Sequence, residues 1–262
     1  MGLYVAESGL AEGCPVVFLH GASPDGGRIW RPQVRDLSSD MRCYVVDLPG
    51  HTGSSTVAWT SLNDTADQVA EFIRNKIGGP AGIVGLSLGG CVAIRLAMRN
   101  PELVTSAIAS GVSILPASFS ARVWQRGQLV ARYSSFTSSP TAGEHDGEAA
   151  EDDAGSRAWS RPVPRQVVMK IVSEIVNFDL PDGRKKIDCA MLAVAGEHEN
   201  RLVLRSLRPL AGHFAAGRAK YVPDASQHWN AERPELFNAM VRSWVIDQRL
   251  PPKLRDPEQW AQ

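Results

Sequence analysis

The sequence predicts an α/β protein in which a mostly parallel sheet is covered by helices on both faces. The first observation is a series of short segments that are apolar throughout, such as 15–21 and 81–86, which is typical of strands buried on both faces. The second is that segments with helical periodicity, such as 61–79 and 88–100, alternate with these strands. The third is the length of 262 residues, which suits one such domain with an insertion.

Each element is predicted from a local signal. The helix at 61–79 has the clearest limits, because Ser61 with Asp64 resembles a capping box and a glycine pair closes the helix. Pro101 ends the next helix, since the residue before a proline disfavours helical backbone. The predicted strands are 15–21, 41–50, 81–86, 104–115, 189–196 and 219–222, and the predicted helices are 29–39, 61–79, 88–100, 201–215 and 234–250.

The region 116–186 interrupts this alternation. It contains two predicted helices, 120–133 and 165–176, separated by a segment rich in Ser, Gly, Ala and acidic residues. Because 134–156 has almost no large apolar side chains, we expect it to be a flexible acidic loop. The predicted organisation is a core formed by 1–115 and 187–262, with 116–186 inserted in it.

Charge and cysteine content exclude several classes of protein. Lys plus Arg number 28 and Asp plus Glu number 28, so neither nucleic acid nor a membrane is expected as a partner. No apolar run approaches the ~18–20 residues of a membrane span, and the first residues lack the pattern of a signal peptide. The four cysteines are scattered, which favours free thiols over a disulfide scaffold. We therefore expect a cytoplasmic protein.

One short motif indicates nucleophilic chemistry. Gly85-Leu86-Ser87-Leu88-Gly89 matches G-x-S-x-G and lies between a buried strand and a helix, as a nucleophile elbow requires. The turn is tight, so the residues two positions from the serine must lack bulk. Ser87 would then project above the carboxyl edge of the sheet, at a helix N-terminus where the N–H of Leu88 can help to hold an oxyanion. A glycine-rich turn with a capping serine is the simpler structural alternative.

A serine needs a base, and His228 is the best placed of six histidines. It lies in a loop after the last predicted strand, late in the chain, which fits the order Ser, acid, His. His20, at the end of a buried strand, is interpreted as structural. Glu197 and Glu199 follow another strand, and spacing alone does not choose between them as the third member.

Several segments in this order resemble a known family. They are FLHG with Trp30 beyond it, DLPGH, GLSLGG, AGEHE, and QHW followed by ERPELFN. Together they resemble the α/β-hydrolase superfamily, in particular its capped members related to proline iminopeptidases, cofactor-free haloperoxidases and small carboxylesterases. The resemblance covers 15–240 except for 116–178.

The resemblance implies an eight-stranded, mostly parallel sheet and a helical cap inserted before the strand that carries the catalytic acid. It implies a catalytic triad of Ser87, His228 and Glu199, because Glu199 occupies the position of the family acid. It places the oxyanion hole at the backbone N–H groups of Ala22 and Leu88. It implies neither a metal nor an organic cofactor.

Two departures from the family pattern concern the loop and the cap. Thr52 replaces the second glycine of the usual G-H-G-x-S loop, and a β-branched residue disfavours positive φ, so we expect a local adjustment. The cap region contains the acidic insertion. Trp124, Trp159 and Trp229 are candidates for the substrate pocket, although packing is the default explanation for each.

The predicted function is hydrolysis of a small-molecule ester or related carbonyl bond through an acyl-enzyme. Alternatives on the same residues are C–C bond hydrolysis, lactone opening, amide cleavage and elimination as a lyase. A ligand-binding receptor with little turnover is a further alternative, since the fold does not choose among these functions. The sequence leaves the substrate and a homodimer open.

Overall fold

A computed structural model describes residues 2–23, 25–115, 119–135, 163–180 and 186–258. Seven strands form one sheet in these residues, against the eight that the family resemblance implies. The strands are β1 (Val5–Gly9), β2 (Cys14–Leu19), β3 (Met41–Val46), β4 (Ala81–Leu86), β5 (Val104–Ser110), β6 (Ile187–Gly196) and β7 (Phe214–Val222).

The sheet has the order β1-β3-β2-β4-β5-β6-β7. Only β1 runs antiparallel to its neighbour, so the predicted mostly parallel sheet is confirmed. The sequence analysis did not predict β1 and placed β7 only at 219–222. Both strands lie at the edges of the sheet and are only partly buried, so they lack the continuous apolar run of a central strand. β4 is buried at every position.

Helices cover both faces of the sheet. They are α1 (Arg31–Leu37), α2 (Leu62–Phe72), α3 (Leu88–Arg99), α4 (Phe119–Ser135), α5 (Arg165–Val176), α6 (Arg201–Gly212), α7 (Trp229–Glu232) and α8 (Pro234–Asp247). Side chains of α2, α3 and α6 pack in one core cluster. Side chains of α1 and α8 pack in a second cluster. None of the described helices is long and apolar enough to span a membrane.

The two helices predicted between β5 and β6 are present as α4 and α5. Val168 and Val172 of α5 pack against Leu129 and Val130 of α4. Ile171 on the same helix joins the core cluster of α2, α3 and α6, so α5 lies between α4 and the rest of the protein. Most of the expected acidic loop lies outside the described residues.

Two polar contacts also join α5 and the segment after it to the remainder of the chain. Glu174 accepts a hydrogen bond from the Leu62 N–H at 2.6 Å, at the start of α2. The Arg95 guanidinium donates to the Asp179 carbonyl oxygen at 3.0 Å. The division into a core and an inserted cap remains a prediction.

Candidate active site

Ser87 occupies the turn between β4 and α3 in a strained backbone conformation, with φ 51° and ψ −106°. Such a conformation is rare for a residue with a side chain. A Cβ built on Gly85 would collide with the carbonyl oxygen of Gly89, and one built on Gly89 would collide with the carbonyl oxygen of Leu19. The turn therefore requires glycine on both sides of the serine.

Main-chain hydrogen bonds hold Ser87 in place. Its N–H donates to the Ser110 carbonyl oxygen at 2.7 Å, and its own carbonyl oxygen accepts from the Cys91 N–H at 3.0 Å. Leu88 is the first residue of α3, where backbone N–H groups lack partners within the helix. Ala22 follows β2 and is partly exposed. The side chain of Ser87 is nearly buried, with 9% of its residue surface exposed.

A cavity of about 430 Å³ opens beside Ser87. Ser87, Glu199 and His228 all line it, although they are far apart in the sequence. The cavity lies at the carboxyl ends of the strands, because Glu199 follows β6 and His228 follows β7. Residues of α4, of the end of α5 and of the segment after α5 also line the cavity.

The two glutamates after β6 have different surroundings. Glu199 Oε1 accepts a hydrogen bond from the Gly196 N–H at 3.0 Å, and Glu199 lines the cavity. Glu197 Oε2 instead accepts from the Asp224 N–H at 3.0 Å, in the loop that leads to His228, and it is not among the described residues that line the cavity. Glu199 is therefore the better placed of the two to serve as the acid.

His228 lies at the N-terminus of α7, on the exposed side of the cavity. Its N–H donates to Ser226 Oγ at 3.2 Å, and Ser226 in turn hydrogen bonds to Glu232 through both its N–H and its hydroxyl. These bonds with Ser226, together with the nearby His228, lower the pKa of Glu232. The His198 N–H donates to the Ala225 carbonyl oxygen at 2.9 Å, so the acid and histidine loops are joined directly.

His20 and His51 form a buried pair in the segments that follow β2 and β3. Their ring centroids are 4.8 Å apart. His20 Nε2 accepts from the Leu48 N–H at 2.9 Å, so its Nδ1 donates to the Gly21 carbonyl oxygen at 2.8 Å. Burial lowers the pKa of His20 to about 4 and that of His51 to about 3. His20 is thus neutral and braces the loop that carries Ala22.

Thr52 takes φ 35°, so the loop keeps a left-handed conformation at this position despite the β-branched side chain. Asp47 holds the surrounding backbone, since its carboxylate accepts from the Gly27 N–H at 2.8 Å and from the Gly53 N–H at 2.9 Å. We expected the loop to adjust locally to a β-branched residue. Instead the backbone of Thr52 itself adopts the disfavoured positive φ and is strained.

The three candidate tryptophans have different locations. Trp124 on α4 lines the cavity and is 58% exposed. Trp159 lies outside the described residues. Trp229 does not form part of the described cavity wall, which corrects the expectation for this residue. It begins α7, and its fully buried ring packs in the core, with its centroid 4.5 Å from that of Phe237.

The sequence analysis missed several residues that line the cavity. Gln125 and Gln128 lie three positions apart on α4, Phe178 follows α5, and Gly111 follows β5. The spacing of the two glutamines is compatible with one helix face, but no sequence signal indicated that this face borders the cavity.

Comparison with known proteins identifies the family. The chain matches the model of the alpha/beta hydrolase family over residues 16–240. It is 26% identical over 252 residues to an AB hydrolase superfamily protein of Gibberella zeae, covering 90% of this chain and 81% of the relative. It is 28% identical over 245 residues to a pimeloyl-[acyl-carrier protein] methyl ester esterase of Vibrio cholerae, covering 87% of this chain and 91% of the relative.

The fold is also found in a solved structure. A thermophilic esterase from Thermogutta terrifontis superimposes with a TM-score of 0.66 at 21% identity, covering 93% of this chain and 92% of that chain. The resemblance inferred from the motifs is thereby confirmed. Because the family match extends over most of its length, the chain belongs to the alpha/beta hydrolase family.

Proposed function

We propose that this protein is a serine hydrolase that cleaves small, uncharged esters. The observation that carries the proposal is that Ser87, Glu199 and His228 line one cavity beside a strained turn. A nucleophile, a base and an acid that meet at one cavity are the groups that acyl transfer requires. The curated relative from Vibrio cholerae is named as a methyl ester esterase, which supports an ester as the substrate.

The proposed reaction has two stages. Ser87 Oγ attacks the ester carbonyl carbon while His228 takes its proton and Glu199 stabilises the resulting imidazolium. The N–H groups of Ala22 and Leu88 hold the negative charge on the carbonyl oxygen. The alcohol leaves with the proton from His228, and an acyl-enzyme remains. Water, deprotonated by His228, then releases the acid and restores Ser87.

The cavity wall favours an uncharged substrate. Apolar side chains such as Val112, Leu129 and Ile175 line it together with neutral polar ones such as Gln125 and Gln128. Among the described residues that line it there is neither Lys nor Arg. A carboxylate moved from water into such a wall loses its hydration without gaining a Lys or Arg partner, and it meets the like charge of Glu199, which also lines the cavity.

The central experiment compares wild type with Ser87→Ala on p-nitrophenyl esters. We expect Ser87→Ala to lose activity by at least about 10³-fold and to escape labelling by a fluorophosphonate probe. Ser106→Ala is the matched control, because it removes a buried hydroxyl from β5 that the reaction does not use. Full activity in Ser87→Ala would overturn the proposal. A panel of lactones, amides and diketones, run in ¹⁸O-labelled water, separates ester hydrolysis from the alternative reactions.

Substrate charge is tested with p-nitrophenyl butyrate and p-nitrophenyl hemisuccinate, which share a leaving group and an acyl chain of four carbons. We expect kcat/KM to favour the butyrate by at least about tenfold. Gln128→Arg, which adds a cation to the wall, should narrow this difference, whereas Gln128→Met should not. Equal kcat/KM values for the two esters in wild type would contradict the preference for uncharged substrates.

A further inference from the structure

We infer that the dipeptide Ser110-Gly111 positions all three members of the proposed triad relative to one another. The inference rests on the proposed function, because it concerns the same three side chains. Ser110 ends β5, which lies between the strand that leads to the nucleophile and the strand that leads to the acid. Ser110 pairs with Leu86 on one side and with Val194 on the other.

The first connection is to the nucleophile and uses the main chain. The Ser110 carbonyl oxygen accepts the N–H of Ser87 at 2.7 Å. This bond extends the β4–β5 pairing by one residue, to the strained position itself. It does not depend on the side chain of residue 110, so substitution there leaves this connection in place.

The second connection is to the histidine loop and uses the side chain. Ser110 Oγ accepts a hydrogen bond from Trp229 Nε1 at 3.1 Å, and both residues are fully buried. An indole N–H can only donate, so the serine hydroxyl must accept. Trp229 directly follows His228 and begins α7. The hydrogen bond therefore fixes the residue next to the proposed base, with the indole ring anchored in the core.

The third connection is to the acid and uses the absence of a side chain. Gly111 has φ +71°, and a Cβ built on it would lie 2.9 Å from Glu199 Oε2. The Gly111 N–H also donates to the Val194 carbonyl oxygen at 2.9 Å, which keeps this residue in register with β6. Any larger residue would force the Glu199 carboxylate away from the end of β5. Ser110 and Gly111 are thus positioning residues, since neither is proposed to react.

The test removes the Ser110 hydroxyl and measures the effect on kcat separately from the effect on thermal stability. We expect Ser110→Ala to lower kcat for p-nitrophenyl butyrate by about 10- to 100-fold with little change in KM. The NMR titration of the His228 ring should also shift, because the residue beside it loses its anchor. Ser106→Ala is the matched control, as it lies on the same strand and its buried Oγ has no hydrogen-bond partner among the described residues.

A double-mutant cycle with Trp229→Phe isolates the hydrogen bond. This substitution keeps a ring in the core and removes the indole N–H. Ser110→Ala should therefore lower kcat in the wild-type background and have little further effect in the Trp229→Phe background. An equal loss of kcat in both backgrounds would show that Ser110→Ala does not act through its hydrogen bond with Trp229. That result would overturn the proposed connection to the histidine loop.

The connection to Glu199 is tested with Gly111→Ala, which we expect to lower kcat more than Ser110→Ala does. Should Gly111→Ala fail to fold, the Ser110 and Trp229 variants still test the inference. If Ser110→Ala changes the melting temperature alone, and kcat and the His228 titration match those of Ser106→Ala, the inference is wrong. The Ser87→Ala comparison tests the proposed function independently, and the His228 titration does not require turnover.

Discussion

His228 and the pair formed by His20 and His51 all follow the carboxyl ends of strands, but their environments are opposite. His228 is exposed at the edge of the cavity, whereas His20 and His51 are completely buried. Burial lowers the pKa of His20 to about 4 and that of His51 to about 3. Position at the sheet edge is therefore not sufficient to make a base. The difference teaches that access to solvent and substrate separates a histidine suited to proton transfer from one that braces a loop.

The largest expected effect is on His228. His228→Asn should lower kcat by at least about 10³-fold, because Ser87 then lacks a base. Thermal stability should change little, since the side chain is exposed. Ester assays and thermal melts check both parts. His213→Asn is a suitable control, because His213 lies just before the amino end of β7, whereas His228 follows the carboxyl end of that strand. Near-normal turnover in His228→Asn would show that His228 is not the base, and its proposed role would then not differ from that of the buried pair His20 and His51.

His20→Ala should show the reverse pattern. It leaves the Leu48 N–H without its acceptor in the core and removes a buried ring, which should destabilise the protein by about 3 kcal/mol. Chemical denaturation measures this change. The folded fraction should retain part of its activity, because His20 supports the Ala22 loop without reacting. A loss of kcat as large as that of His228→Asn at unchanged stability would be incompatible with a bracing role.

The buried pair should also make the protein sensitive to acid. At pH values well above 6.5, the ordinary pKa of histidine, both residues are neutral in the folded and the unfolded chain. As the pH falls, the unfolded chain binds protons first, because the folded pKa values are about 4 and about 3. Between pH 6.5 and its own folded pKa, each histidine should therefore reduce the free energy of unfolding by about 1.4 kcal/mol for each pH unit that the pH falls.

Denaturant titrations at a series of pH values between 7 and 4 check this slope. His51→Phe should reduce it, since one of the two buried titrating groups is gone. His213→Asn should leave it unchanged, because that side chain is not in the buried pair. A slope that persists undiminished in His51→Phe would assign the acid sensitivity to other groups.

The smallest expected effect concerns the loop around His51. Thr52→Gly should stabilise the protein by about 1 kcal/mol, because φ 35° strains a β-branched residue and its buried Oγ1 has no hydrogen-bond partner among the described residues. Thr52→Val, which removes the hydroxyl but retains the branching and the strain, is the control and should stabilise less than Thr52→Gly. Differential scanning calorimetry resolves this difference. A destabilised Thr52→Gly would show that packing against the buried histidine loop outweighs the strain.

Sequence reasoning predicted the interior of the sheet better than its edges. The strands that contain Val17, Ile83 and Met191 are apolar on both faces and were predicted close to their observed limits. β1 was missed and β7 was shortened, because an edge strand buries only part of its surface and its pattern is correspondingly weak. The helices α4 and α5 were predicted from periodicity, but nothing in that periodicity indicated which of their faces borders the cavity.

The sequence alone determined the family, the strand–turn–helix around Ser87 and the late position of His228. These features follow from local sterics and from the order of motifs, both of which are readable along the chain. Tertiary structure decided that Glu199 rather than Glu197 lines the cavity and that Trp229 turns into the core. It also decided that Ser110-Gly111 meets Ser87, Trp229 and Glu199. Each of these depends on contacts between segments distant in sequence, and such contacts exist only once the sheet brings the ends of its strands together.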